Sequence, residues 1–346
     1  MNALRLNGFG DPAKVVALVP GPELHAGYDE LLVALEAAPV HPSDLHLIRG
    51  FYGVRPGLPA PLGAEGVGRV VEVGPGADQD LVGRRVVILP TYEQGTWADH
   101  AVVAADNVVA VGDDADALQL AMIGVNPLTA LLLLRLPEHL SQGDWIAQTG
   151  ANSAVGQYVI KLAKLAGVKT LNLVRREPAA AQVTAAGGDR VIVVGDDLPR
   201  QLERALEGHE LALVLDSIGG PSVADLAHRL RFGGKVVSFG ALGGQPTALS
   251  VRHDLIYRHV SHHGFWTFNW LRQASSEDIN ARYREIAGLV TSGELAVEID
   301  QTYPLEHYAE ALERAEQYQR SGKVLFTFGD ERVTRERLPH LTSGSP

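Results

Sequence analysis

One segment of this 346-residue chain combines small residues and a helix start in the way a phosphate group requires. Trp145-Ile-Ala-Gln-Thr-Gly-Ala-Asn-Ser-Ala-Val-Gly156 is a short apolar strand followed by a turn of small residues, and Gln157–Ala166 has helical character. A helix that starts there offers free N–H groups to a pyrophosphate. In the pattern G-x-G-x-x-G the glycine positions hold Ala151, Ser153 and Gly156, so two glycines are replaced. The motif alone is weak, and a plain turn rich in small residues is the competing reading. The strand before it and the strand–helix units after it favour a dinucleotide. The next strand ends in Arg175-Arg176, where an NAD-binding chain places an acidic residue about 20 residues past its glycines. Two planar cations there suit a ribose 2′-phosphate, and so NADPH. A solvated basic turn paired to Glu177 is the alternative.

These residues need a scaffold, and the chain's texture predicts one. Residues 1–120 read as short strands broken by glycine and proline, the clearest being 30–37, 68–73 and 85–88. A helix is expected from Pro42-Ser43-Asp44, with Ser43 as a candidate cap and Asp44 as a first-turn carboxylate. From about residue 122 short apolar strands (145–148, 170–174, 190–193, 211–215, 235–239) alternate with helical stretches, which predicts a parallel sheet covered on both faces. After about residue 270 a helix near 276–292 and a strand at 323–328 suggest a return to the first domain. The polar end, 331–346, is expected to be mobile.

Composition narrows the function classes. An apolar fraction of 46% and a charged fraction of 21% describe an ordinary globular chain, long enough for two domains. The net charge of -11 argues against nucleic acid or an anionic membrane as partner. The absence of cysteine excludes disulfides, thiolate catalysis and cysteine-held zinc. No signal-like or membrane-spanning apolar run is read, so the cytoplasm is the expected place.

With these pieces in hand, the chain resembles the medium-chain dehydrogenase/reductase superfamily over nearly all of residues 1–328. The resemblance rests on Gly63-Ala-Glu-Gly-Val-Gly68 with Val-Val-Glu-Val-Gly74, Asn126-Pro-Leu-Thr-Ala130, the loop at 150–156, and Ser321-Gly-Lys-Val-Leu-Phe-Thr-Phe328. It implies an α/β architecture, with a GroES-like β-rich catalytic domain (1–122 and 270–330) beside a Rossmann doubly wound parallel-sheet domain (123–269). The active site would lie in the cleft between them. The zinc-holding branch places a cysteine, a histidine and a cysteine where this chain has His41, Ala64 and Val125. One imidazole with Glu65 falls short of the three protein ligands of a catalytic zinc, so no metal is expected. His41 and His46 are then read as loop or helix-surface residues.

Within the zinc-free branch, two segments are similar to the 2-enoyl thioester (trans-2-enoyl-CoA/ACP) reductases. His41-Pro-Ser-Asp, a short helix and Gly50-Phe-Tyr52 match that family's Asn-Pro-Ser-Asp and Gly-x-Tyr, with histidine in place of asparagine. The family's tyrosine is its proton donor, and Tyr52 falls on it. The second segment is Gly264-Phe-Trp-Thr-Phe-Asn-Trp270. Carried over by position, the resemblance implies cofactor contacts from Asn126, Asn152, Ser153, Ala154, Val155, Gly156, Arg175 and Arg176. It adds Phe239, Gly240, Ala241, Leu242, Phe265, Trp266, Thr267 and Lys323, and lines the substrate cleft with Trp266 and Trp270. Quinone oxidoreductases share the fold and loop but match these two segments less well.

The implied reaction is reduction of the activated C=C bond of an acyl thioester or related enone by NADPH. It builds negative charge on a carbonyl oxygen, and a zinc-free site needs a hydrogen-bond donor there and a proton for the α-carbon. A phenol meets both demands. The plainer reading of Tyr52 is an aromatic plug, and of Trp266 and Trp270 core anchors. Asp216 stands at a strand's carboxyl end as either ligand or turn cap. Arg49, Arg55, Arg258 and Arg272 could meet CoA phosphates or an acyl carrier protein, or lie solvated. The family also implies a homodimer. The rival functions are NADPH:quinone reduction and a non-catalytic NADPH-binding sensor or structural protein.

Overall fold

The computed structural model describes residues 1–136, 140–317 and 320–329; the tail expected to be mobile, 331–346, lies outside the described residues. The chain divides into two compact units. Met1–Gly124 and the described residues from Glu298 form one, and Val125–Val297 the other.

The first unit is built around one long strand, Glu30–Val40. It lies inside a seven-stranded sheet, in the order Ile299–Pro304, Lys323–Thr327, Glu30–Val40, Gly66–Val73, Arg85–Ile88, Val108–Ala110, and His100–Ala104 pairs with it too. Its first half carries Leu31, Val33 and Leu35 into a core with Val70, Val86, Ile88 and Val103. Its last residues, Ala38 and Val40, join a second core with Leu4, Leu6, Ile48, Trp97 and Phe326. Trp97 is wholly buried, and its indole N–H donates to Pro39 O at 3.1 Å, so the ring packs without an orphaned donor. Truncating such a ring to alanine costs about 3–5 kcal/mol. A smaller sheet pairs Asn2–Leu6 with Val16–Pro20 and Ala60–Pro61.

The second unit carries six strands, all parallel, in the order Arg190–Val193, Lys169–Val174, Trp145–Thr149, Leu211–Asp216, Leu230–Ser238, Ser261–Gly264. Counted along the unit this is 3-2-1-4-5-6, the order of dinucleotide-binding sheets, with the reversal between the first and fourth strands. The helix Ser276–Thr291 belongs here, not with the first unit as its sequence position suggested. It packs on Asn126–Arg135, and Glu285 meets Arg135 at 2.5 Å, so the chain returns to the first unit at Glu298 and not near residue 270. Among the described residues no helix is long and apolar enough to cross a membrane.

Candidate active-site residues

In the second unit, the loop after Trp145–Thr149 turns at Gly150 in a left-handed conformation (φ 60°). Ser153 then caps the helix Ala154–Leu165, its hydroxyl accepting from Gly156 N at 3.1 Å. The helix therefore starts three residues before the expected Gln157. The cap satisfies Gly156, while the N–H groups of Ala154 and Val155 have no protein acceptor among the described residues. Free N–H groups at a helix N-terminus are of the kind that can hold an anion. Gly156 cannot carry a side chain, because a Cβ there would stand 2.4 Å from Ala151 O. Ala151 N donates to Leu173 O, tying the loop to the second strand two residues before Arg175. Arg175 and Arg176 are exposed just past that strand, with Arg176 as N-cap of Glu177–Ala185.

Asp216 acts as the turn cap. Its Oδ1 accepts from Thr149 Oγ1 (2.7 Å) and from the N–H groups of Ile218 and Gly219 (both 3.0 Å), locking the first and fourth strands at their carboxyl ends. Phe239 N donates to Asp216 O and Leu242 N to Ser217 O, which lays Phe239, Gly240, Ala241 and Leu242 along that same edge. Phe265 N donates to Ser238 O, so the next segment starts beside it. Thr267 Oγ1 lies 2.5 Å from Thr129 Oγ1, inside the unit, and Asn126 is buried at the start of the helix that carries Thr129.

In the first unit, Tyr52 follows the helix Pro42–Arg49, which ends at left-handed Gly50. It is half-buried against the second core, and the Tyr92 hydroxyl donates to its oxygen at 2.9 Å. The rings are 5.6 Å apart and tilted by 53°. Burial, then Tyr52 and Asp44, push the Tyr92 phenol far above its ordinary range, so it stays a donor.

His41 corrects the surface expectation: it is buried, and so is its surrounding cluster of Asp44, Glu65 and Lys323. It is His41, not Ser43, that caps the helix, and its N–H donates to Asp44 Oδ2 at 2.8 Å. Lys323 Nζ donates to Val40 O (3.1 Å) and lies 2.9 Å from His41 Nδ1. An ammonium only donates, so Nδ1 is the acceptor and Nε2 carries the proton toward Glu65 Oε1, 2.5 Å away. The chain Lys323→His41→Glu65 thus has one consistent polarity. Burial, then Lys323, lower the His41 pKa well below its ordinary value. Burial, then Arg320, pull down that of Lys323. Burial raises Asp44 to about 7. Two of the three Lys323 donors are used inside this unit.

Residues 27–113 match the family described as alcohol dehydrogenase GroES-like domain, and residues 186–325 match zinc-binding dehydrogenase. The chain is 34% identical to the mitochondrial enoyl-[acyl-carrier-protein] reductase of Bos taurus over 332 residues, spanning 94% of this chain and 88% of that one. The chain belongs to the medium-chain dehydrogenase/reductase superfamily, among the enoyl reductases. It is an oxidoreductase acting on CH–CH groups. Among solved structures it is similar to a mycobacterial quinone oxidoreductase (TM-score 0.83, 25% identity, 94% and 99% of the two chains). It is likewise similar to the Etr1p/NADP/crotonyl-CoA complex (TM-score 0.82, 25% identity, 94% and 99%).

For an enoyl reductase of this superfamily the zinc question turns on donors. Both ring nitrogens of His41 are engaged, and positions 64 and 125 hold Ala64 and Val125. That set does not fit a catalytic zinc. The two tryptophans part company. Trp270 lines a hollow of about 410 Å³ with Phe265, Leu132, Arg135 and Arg282. Trp266 packs on Phe268, ring centroids 5.1 Å apart. Arg258 is a structural residue of the second unit, bonded to His228 O and Glu210, and Arg49 pairs with Glu316. Tyr92, Glu65 and Asp44 are what sequence reasoning missed as site residues. Tyr92 carried no signal, lying in a loop 40 residues from Tyr52.

Proposed function

We propose that this protein uses NADPH to reduce the activated C=C bond of a 2-enoyl thioester, without zinc, with Tyr52 as the group that meets the developing enolate. The observation that carries the reading is the Tyr92→Tyr52 hydrogen bond in a chain of the enoyl reductases. In that bond the Tyr52 oxygen is the acceptor. In the reaction the Tyr52 hydroxyl would donate to the thioester carbonyl oxygen and, as the charge moves, give its proton toward the α-carbon.

On the nucleotide side, Ala154 and Val155 N–H would hold the pyrophosphate, and Arg175 and Arg176 the 2′-phosphate. The edge formed by Phe239 to Leu242 would flank the dinucleotide, and Lys323 would reach it only through its third donor. Bound nicotinamide supplies the hydride that goes to the β-carbon. Trp270 and the hollow beside it are the proposed place for part of the acyl chain. An acyl carrier protein as donor of the substrate, and a homodimer, belong to the same proposal.

The test is nicotinamide oxidation with crotonyl-CoA, a longer 2-enoyl-CoA and a simple quinone, each with NADPH and with NADH. Thioester turnover with NADPH preferred is the expected result. The likeness to a quinone oxidoreductase makes quinone turnover the rival. Quinone turnover alone, insensitive to Tyr52→Phe, would overturn the proposal. Tight NADPH binding with no acceptor reduced would favour a binding protein instead.

A further inference from the structure

The second unit holds another cluster of titratable side chains that the proposed reaction does not use. Asp254 is wholly buried, yet among the described residues its ion-pair partners are two imidazoles and no lysine or arginine. Its Oδ1 stands 2.9 Å from His253 Nδ1 and 3.6 Å from His228 Nε2. The three ligand atoms all lie within 4.8 Å of one another. We propose that His228, His253 and Asp254 form a binding site for a divalent cation of the zinc type.

The donor set is two neutral imidazole nitrogens and a carboxylate oxygen, which suits zinc and its neighbours better than magnesium or calcium. Zinc bonds of about 2.0–2.1 Å in tetrahedral geometry set ligand atoms roughly 3.4 Å apart. The two carboxylate–imidazole distances bracket that value. Closing the third side needs only rotation of a half-exposed ring, since the histidine side chains are 44% and 53% exposed. That open side leaves room for water as the remaining ligand.

The three backbones are already held. Ser250 N donates to Asp254 Oδ2 (2.9 Å), and Ser250 Oγ accepts from His253 N (3.1 Å), which fixes the turn 250–254 from both ends. His228 follows the helix Pro221–Ala227, and its carbonyl accepts from Arg258 Nη1 at 2.6 Å. Such supporting bonds preorganise a metal site. His228 lies where the chain enters the strand Leu230–Ser238, at the amino edge of the sheet, whereas the phosphate loop is at the carboxyl edge. The cation would clamp the end of one helix to the π-helix Val251–Tyr257. Its readout is therefore stability, and it rests on no part of the reductase reading.

The experiment is calorimetric titration of the tag-free full chain with Zn²⁺, and visible absorption with Co²⁺. One Zn²⁺ per chain is expected, with d–d bands for Co²⁺ and an unfolding temperature that rises with Zn²⁺. His228→Gln and His253→Gln should each weaken binding by about tenfold or more and cancel the thermal shift. Both side chains are half-exposed, so these variants keep the test open if Asp254→Asn fails to fold. Mg²⁺ should not compete. With 13 histidines in the chain, ions can settle elsewhere. Affinity and thermal shift unchanged in the His228→Gln/His253→Gln double variant, equal competition by Mg²⁺, or no one-to-one binding would each overturn the site and leave one carboxylate–imidazole hydrogen bond with a second imidazole at ion-pair distance.

Discussion

Replacing Tyr92 by phenylalanine separates a residue that reacts from one that holds it. The substitution deletes one hydroxyl and keeps the ring that sits 5.6 Å from Tyr52, so packing should survive. The bond at issue is the neutral hydrogen bond of 2.9 Å to Tyr52, between half-buried groups; the hydroxyl's bond with Ser43 goes with it. Such a bond is worth about 0.5–1.5 kcal/mol net, which at about 1.4 kcal/mol per tenfold predicts a kcat roughly 2- to 13-fold lower. Loss of the enolate donor itself, by Tyr52→Phe, should cost about 100- to 1000-fold. Because Tyr92 acts through Tyr52, the double variant should be no worse than Tyr52→Phe alone, a non-additivity that a merely structural role would not produce. Burial keeps the Tyr92 phenol protonated far above the usual range, so the pH profile of kcat should keep its shape in Tyr92→Phe. The assay is steady-state turnover with crotonyl-CoA. A Tyr92→Phe loss as large as that of Tyr52→Phe would transfer the donor role to Tyr92. Unchanged kcat, or additive losses, would refute positioning altogether.

Tyr52→Phe should leave nucleotide affinity as it was, checked by fluorescence titration with NADPH; weakened binding would mean that the ring supports the fold of the nucleotide site. Arg175→Ala and Arg176→Ala should raise KM for NADPH but not NADH, each by about 10- to 150-fold if one charge-assisted bond of roughly 1.5–3 kcal/mol is lost. Equal effects on both nucleotides would return the pair to a solvated turn. Gly156→Val should abolish nucleotide binding, since its Cβ meets Ala151 O at 2.4 Å, while circular dichroism reports whether the sheet remains. For His41 the folded pKa lies below the ordinary 6.5, so the unfolded chain takes up a proton that the folded chain refuses. Its contribution to stability is present above pH 6.5 and is lost as pH falls toward the folded value, at up to about 1.4 kcal/mol per pH unit. Asp44, raised from 3.8 to about 7, works in the opposite sense between those values. The difference between wild type and His41→Asn therefore isolates the histidine, and urea unfolding across that range should show wild type losing stability relative to the variant as pH falls.

Elements closed by their own residues were legible in the sequence, and those closed by distant partners were not. The strands Arg85–Ile88 and Arg190–Val193 match expectation residue for residue, as continuous runs bounded by turns. The strand expected at 235–239 instead begins at Leu230. Arg231-Phe-Gly-Gly234 looks like a turn, with Phe232 in solvent, and only pairing of Leu230 to Leu211 makes it strand. The helix at 276–291 was seen as an element but assigned to the wrong unit, because its sequence does not say which helix its apolar stripe will meet. The same division runs through the site. The places of Ser153, Gly156 and the two arginines, at a helix start and just past a strand end, follow from local chemistry, whatever they bind.

His41 shows where that logic stops. A histidine between a strand and a proline has an exposed position as its ordinary expectation, and nothing within ten residues of it says otherwise. Two contacts reverse the expectation, a donor 282 residues away and an acceptor 24 residues away. Lys323 also donates to Val40 O, so the imidazole is its second acceptor, and on the other side it gives a donor to the wholly buried Glu65. The imidazole serves both at once, since it accepts on one nitrogen and donates from the other. An asparagine presents the same pair of functions through its carbonyl and amide. On this argument the change from the family's asparagine to His41 conserves polarity rather than chemistry, and His41→Asn should keep turnover while losing only the acid-dependent part of stability. A large loss of kcat in that variant would instead place the Lys323→His41→Glu65 chain in the reaction.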